Sequence, residues 1–461
     1  MPLPGIDAVI SAIDAVAREA ILFAAIGFMI GGVDDLMVDL VFLGSRLRKW
    51  WRPESQRAPV HDRGRMAVFV PAWDEAQVIG PMLRTALARY AYADYRIYVG
   101  VYPNDPATIA AVSAVAAGDD RVRIVVNPRP GGTTKADCLN TIWRALLRDE
   151  TEEGIAHAIV LHDAEDVVHP DELGVMAAWL TDHQAVQIPV LPLPDPRSPL
   201  ISGRYLDEFA EAHAKNLAVR EALGAALPFA GVGCAIDRTL LGRIAEARGG
   251  LPFDESSLTE DYELGLTVAA MGGRTKLARA RDRSGKLVAV RAFFPATLGG
   301  AVRQKARWMT GIALAGWDRT GWAQGGSIGE HWMRMRDRRA TLAIPVLAIA
   351  YLALIAWGLS LGAHFATGAP MLAPQGALAA MLAANLTLLG WRIAMRMLFT
   401  GRAFGPVEAL LAIPRLFVAN LVALLAARRA IAIYLPTLRG KPPVWDKTAH
   451  HFPEPGESGA A

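Results

Sequence analysis

Acidic clusters and one cationic-aromatic cluster stand in order along the middle of this chain: His162-Asp163-Ala164-Glu165-Asp166, then Thr259-Glu260-Asp261, then Gln304-Lys305-Ala306-Arg307-Trp308. Carboxylates at a strand end can hold a divalent cation against a diphosphate, a separate carboxylate can take the proton from an attacking hydroxyl, and an Arg beside a Trp can hold a phosphate and a sugar ring. Asp163, Glu165 and Asp166 lie within four residues and repel one another unless a cation is present, so Mg²⁺ or Mn²⁺ with oxygen ligands is expected there. Each cluster also has a plain structural reading. Strand-end acids are common helix caps, Thr259 followed by Leu264 and Leu266 reads as a capped helix with an exposed acid, and Arg307-Trp308 reads as the flank of a membrane-surface helix.

These side chains need a scaffold, and the apolar pattern supplies one. Residues 66–71 form a continuous apolar run ending in Pro71-Ala72-Trp73-Asp74-Glu75, followed by a helical pattern through Val78, Met82, Leu83 and Leu87. The unit repeats: a strand over 95–101 ends in Tyr102-Pro103-Asn104-Asp105, one over 122–126 leads through a Pro/Gly loop to a helix from Thr134, and one over 158–161 ends in His162-Asp163. Alternating strands and helices predict an α/β, doubly wound sheet with its ligand beyond the carboxyl ends of the strands. The loop Gly131-Gly132-Thr133-Thr134-Lys135 lacks P-loop spacing, but its helix N-terminus and lysine can face phosphate.

Of 461 residues, 52% are hydrophobic, which is high for a purely soluble chain, and the net charge of +3 gives no argument for nucleic acid as a partner. The two cysteines, Cys138 and Cys234, have no metal-ligand spacing and read as small core residues. Residues 20–43 are long enough to cross a bilayer core of about 30 Å, and no cleavage site follows a basic start, so the segment reads as an anchor. Asp34, Asp35 and Asp39 either face other helices within the span or belong to an amphipathic continuation in the interface. Arg46, Arg48, Lys49 and Arg52 follow this span, and Arg334, Arg336, Arg338 and Arg339 precede an apolar run over 342–363, so the positive-inside rule places the region between them in the cytoplasm. A further run covers 376–394. Residues 405–434 are interrupted by Pro414-Arg415 and read as interfacial helices in preference to a fourth crossing.

At this point the residues resemble a known family. Pro71-Ala72-Trp73-Asp74-Glu75, Asn104-Asp105, Lys135-Ala136-Asp137-Cys138-Leu139-Asn140, Asp163-Ala164-Glu165, Thr259-Glu260-Asp261 and Gln304-x-x-Arg307-Trp308 are similar to the ordered motifs of inverting family-2 glycosyltransferases with a GT-A fold. Glu165 replaces the usual second Asp of the metal motif, and Asn104 replaces an Asp. The forms Tyr205-x-Asp207-Glu208-Phe209, Ala230-Gly231-Val232-Gly233 and Trp445-Asp446-Lys447-Thr448-x-His450 further resemble the bacteriophage adsorption protein B type of bacterial inner-membrane glycosyltransferase. The resemblance implies a UDP-sugar donor held near Pro71, Trp73, Asp74, Glu75, Asn104, Asp105 and Lys135, and a metal at Asp163, Glu165 and Asp166. It implies Asp261 as the base with Glu260 beside it, further donor contacts from Asp163, Gln304, Arg307 and Trp308, and an acceptor against Gly231, Gly233 and Trp308. Processive synthesis of a surface polysaccharide and an outer-membrane export partner are implied as well. Larger members carry a C-terminal cyclic-di-GMP-binding domain, expected here to be absent because the chain ends soon after His450-His451.

The expected organisation is an anchor and basic linker over 1–52, a cytoplasmic GT-A domain over 53–335, transmembrane and interfacial helices over 336–435, and a cytoplasmic tail over 436–461 whose segment from Trp445 to Thr448 folds back over the domain. The acceptor is either a growing glycan or a lipid carrier receiving one sugar; a homo-oligomer in contact with membrane lipid is compatible with so few spans. A scaffold of an envelope secretion complex whose sugar chemistry is lost stands as the rival of a different class.

Overall fold

The computed structural model describes residues 6–51, 57–370, 373–440 and 451–453. The four apolar runs form strands at the expected positions: β1 (Met66–Pro71), β2 (Tyr95–Val101), β3 (Val122–Val126) and β4 (Ala158–Leu161). They pair in parallel in the order β3-β2-β1-β4. Alternation along β1 assigns Val68 and Val70 to one packed face, with Ile79, Met82 and Leu83, and Ala67 and Phe69 to the other, with Leu139, Ile142 and Trp143.

Later strands are short: β5 (Ala185–Gln187), β6 (Val190–Pro192), β7 (Cys234–Asp237), β8 (Thr275–Leu277) and β9 (Val290–Ala292). Strand β7 joins β4 antiparallel and carries β5 and β8 beyond it, while β6 and β9 form a separate pair. Direction is what matters for the site. Because β7 runs opposite to β4, its first residue, Cys234, lies beside Leu161, the last of β4. The loop before β7 therefore shares a rim with the loops after β1, β2 and β4.

Among the described residues, four helices are long and apolar enough to cross a membrane: Ile6–Trp51, Ala340–Thr367, Gly376–Phe404 and Pro406–Thr437. Asp34, Asp35 and Asp39 of the first helix face other helices. Asp34 meets Arg336, Arg339 and the Trp332 indole, Asp35 meets Arg336, Arg339 and Arg392, and Asp39 meets Lys215 at 2.5 Å and Trp391 at 2.8 Å. Buried charges of this kind survive only when paired, and here they fasten the sheet-bearing part to the long helices.

The last helix corrects the sequence reading. Pro414 does not break it, and Pro406–Thr437 is continuous. One face, including Ala412, Arg415, Val422, Ala426 and Ala430, is buried, while Val407, Leu410, Phe417, Leu421, Ile431 and Leu435 are exposed. Arg415 near its start donates to the Pro199 carbonyl at 2.7 Å and to Asp207 at 3.2 Å and pairs with Glu408. Tyr434 near its end donates to Asp318 at 2.5 Å. The helix thus touches the sheet-bearing part along its length. Of the tail, Trp445 to His450 lie outside the described residues, whereas Phe452 packs against the core cluster containing β1.

Candidate active site

The loops at the shared rim enclose a cavity of about 160 Å³, lined from one end by Pro71 and Glu75, across Lys135, Asp163, Glu165, Gly231 and Asp261, to Gln304, Arg307 and Trp308. Most of the residues expected at a donor, metal and acceptor site from separate motifs therefore meet in one place.

At the first end, backbone geometry is set by side chains that the sequence also allowed as caps. Asp105 caps the helix Pro106–Ala116 by accepting from Thr108 N, and its other oxygen accepts from Asp74 N at 2.5 Å. Asp74 takes φ of 52°, a left-handed conformation that short polar side chains tolerate. Asn104 accepts from Gly131 N at 2.6 Å. Gly131 is required here, since a Cβ would fall 0.9 Å from a ring carbon of Trp73. Trp73 in turn stacks edge-on against Tyr102, 4.9 Å between centroids. Asn104 and Asp105 thus tie the β1, β2 and Gly131 loops together; neither is among the residues lining the cavity.

At the centre, Lys135 heads the helix Lys135–Glu153, capped by Thr134. Its ammonium stands 2.5 Å from Asp163 and 3.9 Å from Glu260. Burial opposes that charge, but Asp163, Glu260 and Asp261 outweigh burial and hold the ammonium well above its ordinary range. Burial lifts Glu260 to about 7 against the pull of Lys135, and it lifts Asp261 as well, with Lys135 and Arg307 pulling down. Thr259 does not cap the helix Glu260–Ala270 through its side chain. Asp261 is not an exposed helix acid: it lines the cavity, one oxygen accepting its neighbour Tyr262's N–H at 2.8 Å. Gly231, at φ 78°, brings main chain so close that a Cβ would lie 2.6 Å from Asp261 Oδ2. Gly233, at φ 59°, packs against Ile188 and Val290 and serves the fold there.

The metal motif divides. Asp163, Glu165 and Asp166 all line the cavity, but Asp166 is only 2% exposed, and its Oδ2 accepts from Asp163 N at 3.0 Å and lies 2.8 Å from His162 Nδ1. The other nitrogen of His162 stands 2.8 Å from Glu172, which also accepts from Tyr90. Burial works against an imidazolium here, yet Glu172 and Asp166 outweigh it and push His162 up to about 10. Asp166 thus braces the loop from below. Sequence reasoning missed His162 and Glu172, because their pairing spans a loop and a helix. Among the described residues no set of three or more His, Cys, Asp or Glu side chains forms a ready-made metal cage.

At the far end, the helix Leu298–Trp308 presents Gln304, Arg307 and Trp308, then passes into a π-helical turn, Met309–Leu314. Trp308 leans on Tyr205 and Phe209, at centroid distances of 6.1 and 6.2 Å. Lys305 points away to Glu208 at 2.6 Å. Gly311 in the π-helical turn packs on Thr259, where a Cβ would fall 2.5 Å from its Oγ1, so the Trp308 and Asp261 elements are in direct contact.

The arrangement brings Asp261, with its raised carboxylate, the oxygen donors of Asp163 and Glu165, and an Arg-Trp wall into one cleft. The family model described as glycosyltransferase like family 2 matches residues 63–311, the span that builds this cleft. Bacteriophage adsorption protein B of Escherichia coli strain K12 is 34% identical over 467 residues, covering 94% of this chain and 62% of its own length, and bacteriophage N4 adsorption protein B of Escherichia coli O157:H7 gives the same figures. The chain therefore spans less than two thirds of the curated relatives it matches. Among solved structures, the mannosyltransferase PcManGT from Pyrobaculum calidifontis in complex with GDP-Man and Mn²⁺ superposes with a TM-score of 0.50 at 20% identity, over 89% of this chain and 99% of that one, a likeness of fold. With a GT-A-type mixed sheet and the matched span lining the cleft, the chain belongs to glycosyltransferase family 2.

Proposed function

We propose that the protein is a membrane-embedded, inverting glycosyltransferase that transfers a sugar from a UDP-sugar to a growing surface glycan, processively, and passes the product toward an export partner. The observation that carries this reading is the position of Asp261. It is a half-buried carboxylate raised above its ordinary range, in a cleft whose other wall holds Arg307 and Trp308. A raised carboxylate is a stronger base.

In this reading the nucleotide lies against the β1 and β2 loops and Lys135 faces its diphosphate. Asp163 and Glu165 fit a divalent cation: both are hard oxygen donors in the cleft, and the ammonium 2.5 Å from Asp163 marks a place where positive charge is favoured. Mg²⁺ or Mn²⁺ held there supplies charge neutralisation to the leaving diphosphate; the PcManGT complex, with GDP-Man and Mn²⁺, is in keeping with this. Asp261 takes the proton from the acceptor hydroxyl as it attacks the anomeric carbon from the face opposite the departing UDP. Arg307 braces phosphate charge, and Trp308 offers an aromatic face to the acceptor sugar.

The domain occupies residues 53–335 on the cytoplasmic side of a bacterial inner membrane, and the chain crosses three times. Pro406–Thr437 lies in the interface, its buried face on the domain and its exposed apolar face toward lipid. Phe452 supports this count, since a fourth crossing would put it on the side opposite the core it packs against. The test is UDP release by purified protein with each of a panel of UDP-sugars, and polymer formation in native membranes. Release without polymer would favour single transfer to a lipid carrier.

A further inference from the structure

A second cavity, of about 600 Å³, lies behind the helix Glu260–Ala270, away from the donor cleft. Arg48 and Lys49 from the end of the first helix and Arg274 and Lys276 from the β8 edge line it, and Glu221 is its one acid among the described residues. Glu221 is shared by Lys276 at 3.1 Å and Lys49 at 3.7 Å. The two guanidiniums are different: Arg274 donates to the main-chain carbonyl of Asp182, and neither it nor Arg48 has a carboxylate partner among the described residues. Four cations against one carboxylate, in a cavity of the size that takes small-molecule ligands, make an anion site.

We infer that this cavity binds a phosphate-bearing ligand through Arg48 and Arg274 and that its occupancy is felt at Asp261. Two guanidinium forks suit phosphate oxygens better than a single-point anion. The coupling follows from shared walls. Ala225 to Leu227 line the cavity, and the same segment presses on the Asp261 helix, where a Cβ on Gly265 would fall 2.3 Å from the Leu227 carbonyl. Four residues after Leu227 the chain reaches Gly231, which abuts Asp261 Oδ2. A ligand that braces residues 225–227 therefore bears on both sides of the catalytic carboxylate. The phosphate belongs either to a free small molecule or to an acidic lipid headgroup.

The experiment titrates the detergent-solubilised full chain with inorganic pyrophosphate in EDTA by calorimetry, using wild type, Arg307→Ala and Arg48→Ala/Arg274→Ala. Saturable binding is expected in wild type and Arg307→Ala, weakened about tenfold or more in the double variant, with Arg274→Lys intermediate. A double variant that binds like wild type, or loss of binding in Arg307→Ala alone, overturns the inference. If free pyrophosphate gives no heat, thermal unfolding in phosphatidylglycerol and phosphatidylcholine nanodiscs decides. Stabilisation by phosphatidylglycerol that needs Arg48 and Arg274 assigns the phosphate to a headgroup, and equal stability in both lipids overturns the inference.

Discussion

Replacing Gly231 by Ala tests the closest contact in the cleft. The new methyl would sit 2.6 Å from Asp261 Oδ2, where ordinary contact begins at 3.4 Å, so the carboxylate must retreat by about 0.8 Å. A displacement of about 1 Å in a reacting group costs on the order of a hundredfold in rate. The backbone adds strain, since φ of 78° costs a non-glycine residue about 1–2 kcal/mol, which lowers Tm by roughly 2–8 °C. Gly231→Ala is therefore expected to stay folded, bind UDP with metal as wild type does, and release UDP from the productive donor about a hundredfold more slowly. The assay is coupled UDP detection, with calorimetric UDP binding and thermal unfolding on the same preparation. Activity above about half of wild type with UDP binding intact would refute the placement of Asp261 against Gly231.

Other consequences follow from the same geometry. Lys135→Met removes the charge that pulls Glu260 and Asp261 down, so the acidic limb of the pH–rate profile is expected to move to higher pH; an unmoved limb would mean that Lys135 does not face the base. Glu260 titrates at about 7 in the fold against an ordinary value of 4.5. Its neutral form is favoured by folding, so its stabilising contribution is complete below about pH 4.5 and is lost as pH rises through 7. Glu260→Gln should accordingly raise Tm more at pH 8 than at pH 5, and an equal effect at both would contradict the raised value. Asp163→Asn should raise the metal concentration for half-maximal UDP release about tenfold or more, whereas Asp166→Asn should lower Tm and leave that concentration within about twofold. Arg415→Met strands Asp207 and Glu408, and breaking a buried pair costs about 3–5 kcal/mol; an unchanged unfolding temperature in detergent would show that the last helix is not anchored there.

Local pattern made much of this legible. Strands β1 to β4 carry their own boundaries, because β1 and β4 are apolar runs, β2 and β3 are interrupted only by Arg96 and Arg123, and each gives way to polar residues, a pattern that predicts the rim on which Asp163, Lys135 and Glu75 gather. What sequence could not show is held by distant partners. Nothing near Asp34 or Asp35 announces Arg336, Arg339 or Arg392, some three hundred residues away. Nothing beside Asp166 in the sequence announces the His162–Glu172 pair that buries it. Asp105 was readable as a cap and proved to be one, with the added task of fixing Asp74. Pro414 removes one helical hydrogen bond, a local penalty that the four hydrogen bonds of Arg415, to Pro199, Asp207 and Glu408, and the packed small-residue face outweigh.

The account turns on a transferase that needs Asp261. The most direct measurement is UDP release by purified protein across UDP-sugars with Mg²⁺ or Mn²⁺, beside Asp261→Asn. The account predicts release with one donor that requires the metal and falls at least a hundredfold in the variant while UDP still binds. Metal-dependent release that is equal in wild type and Asp261→Asn would contradict it.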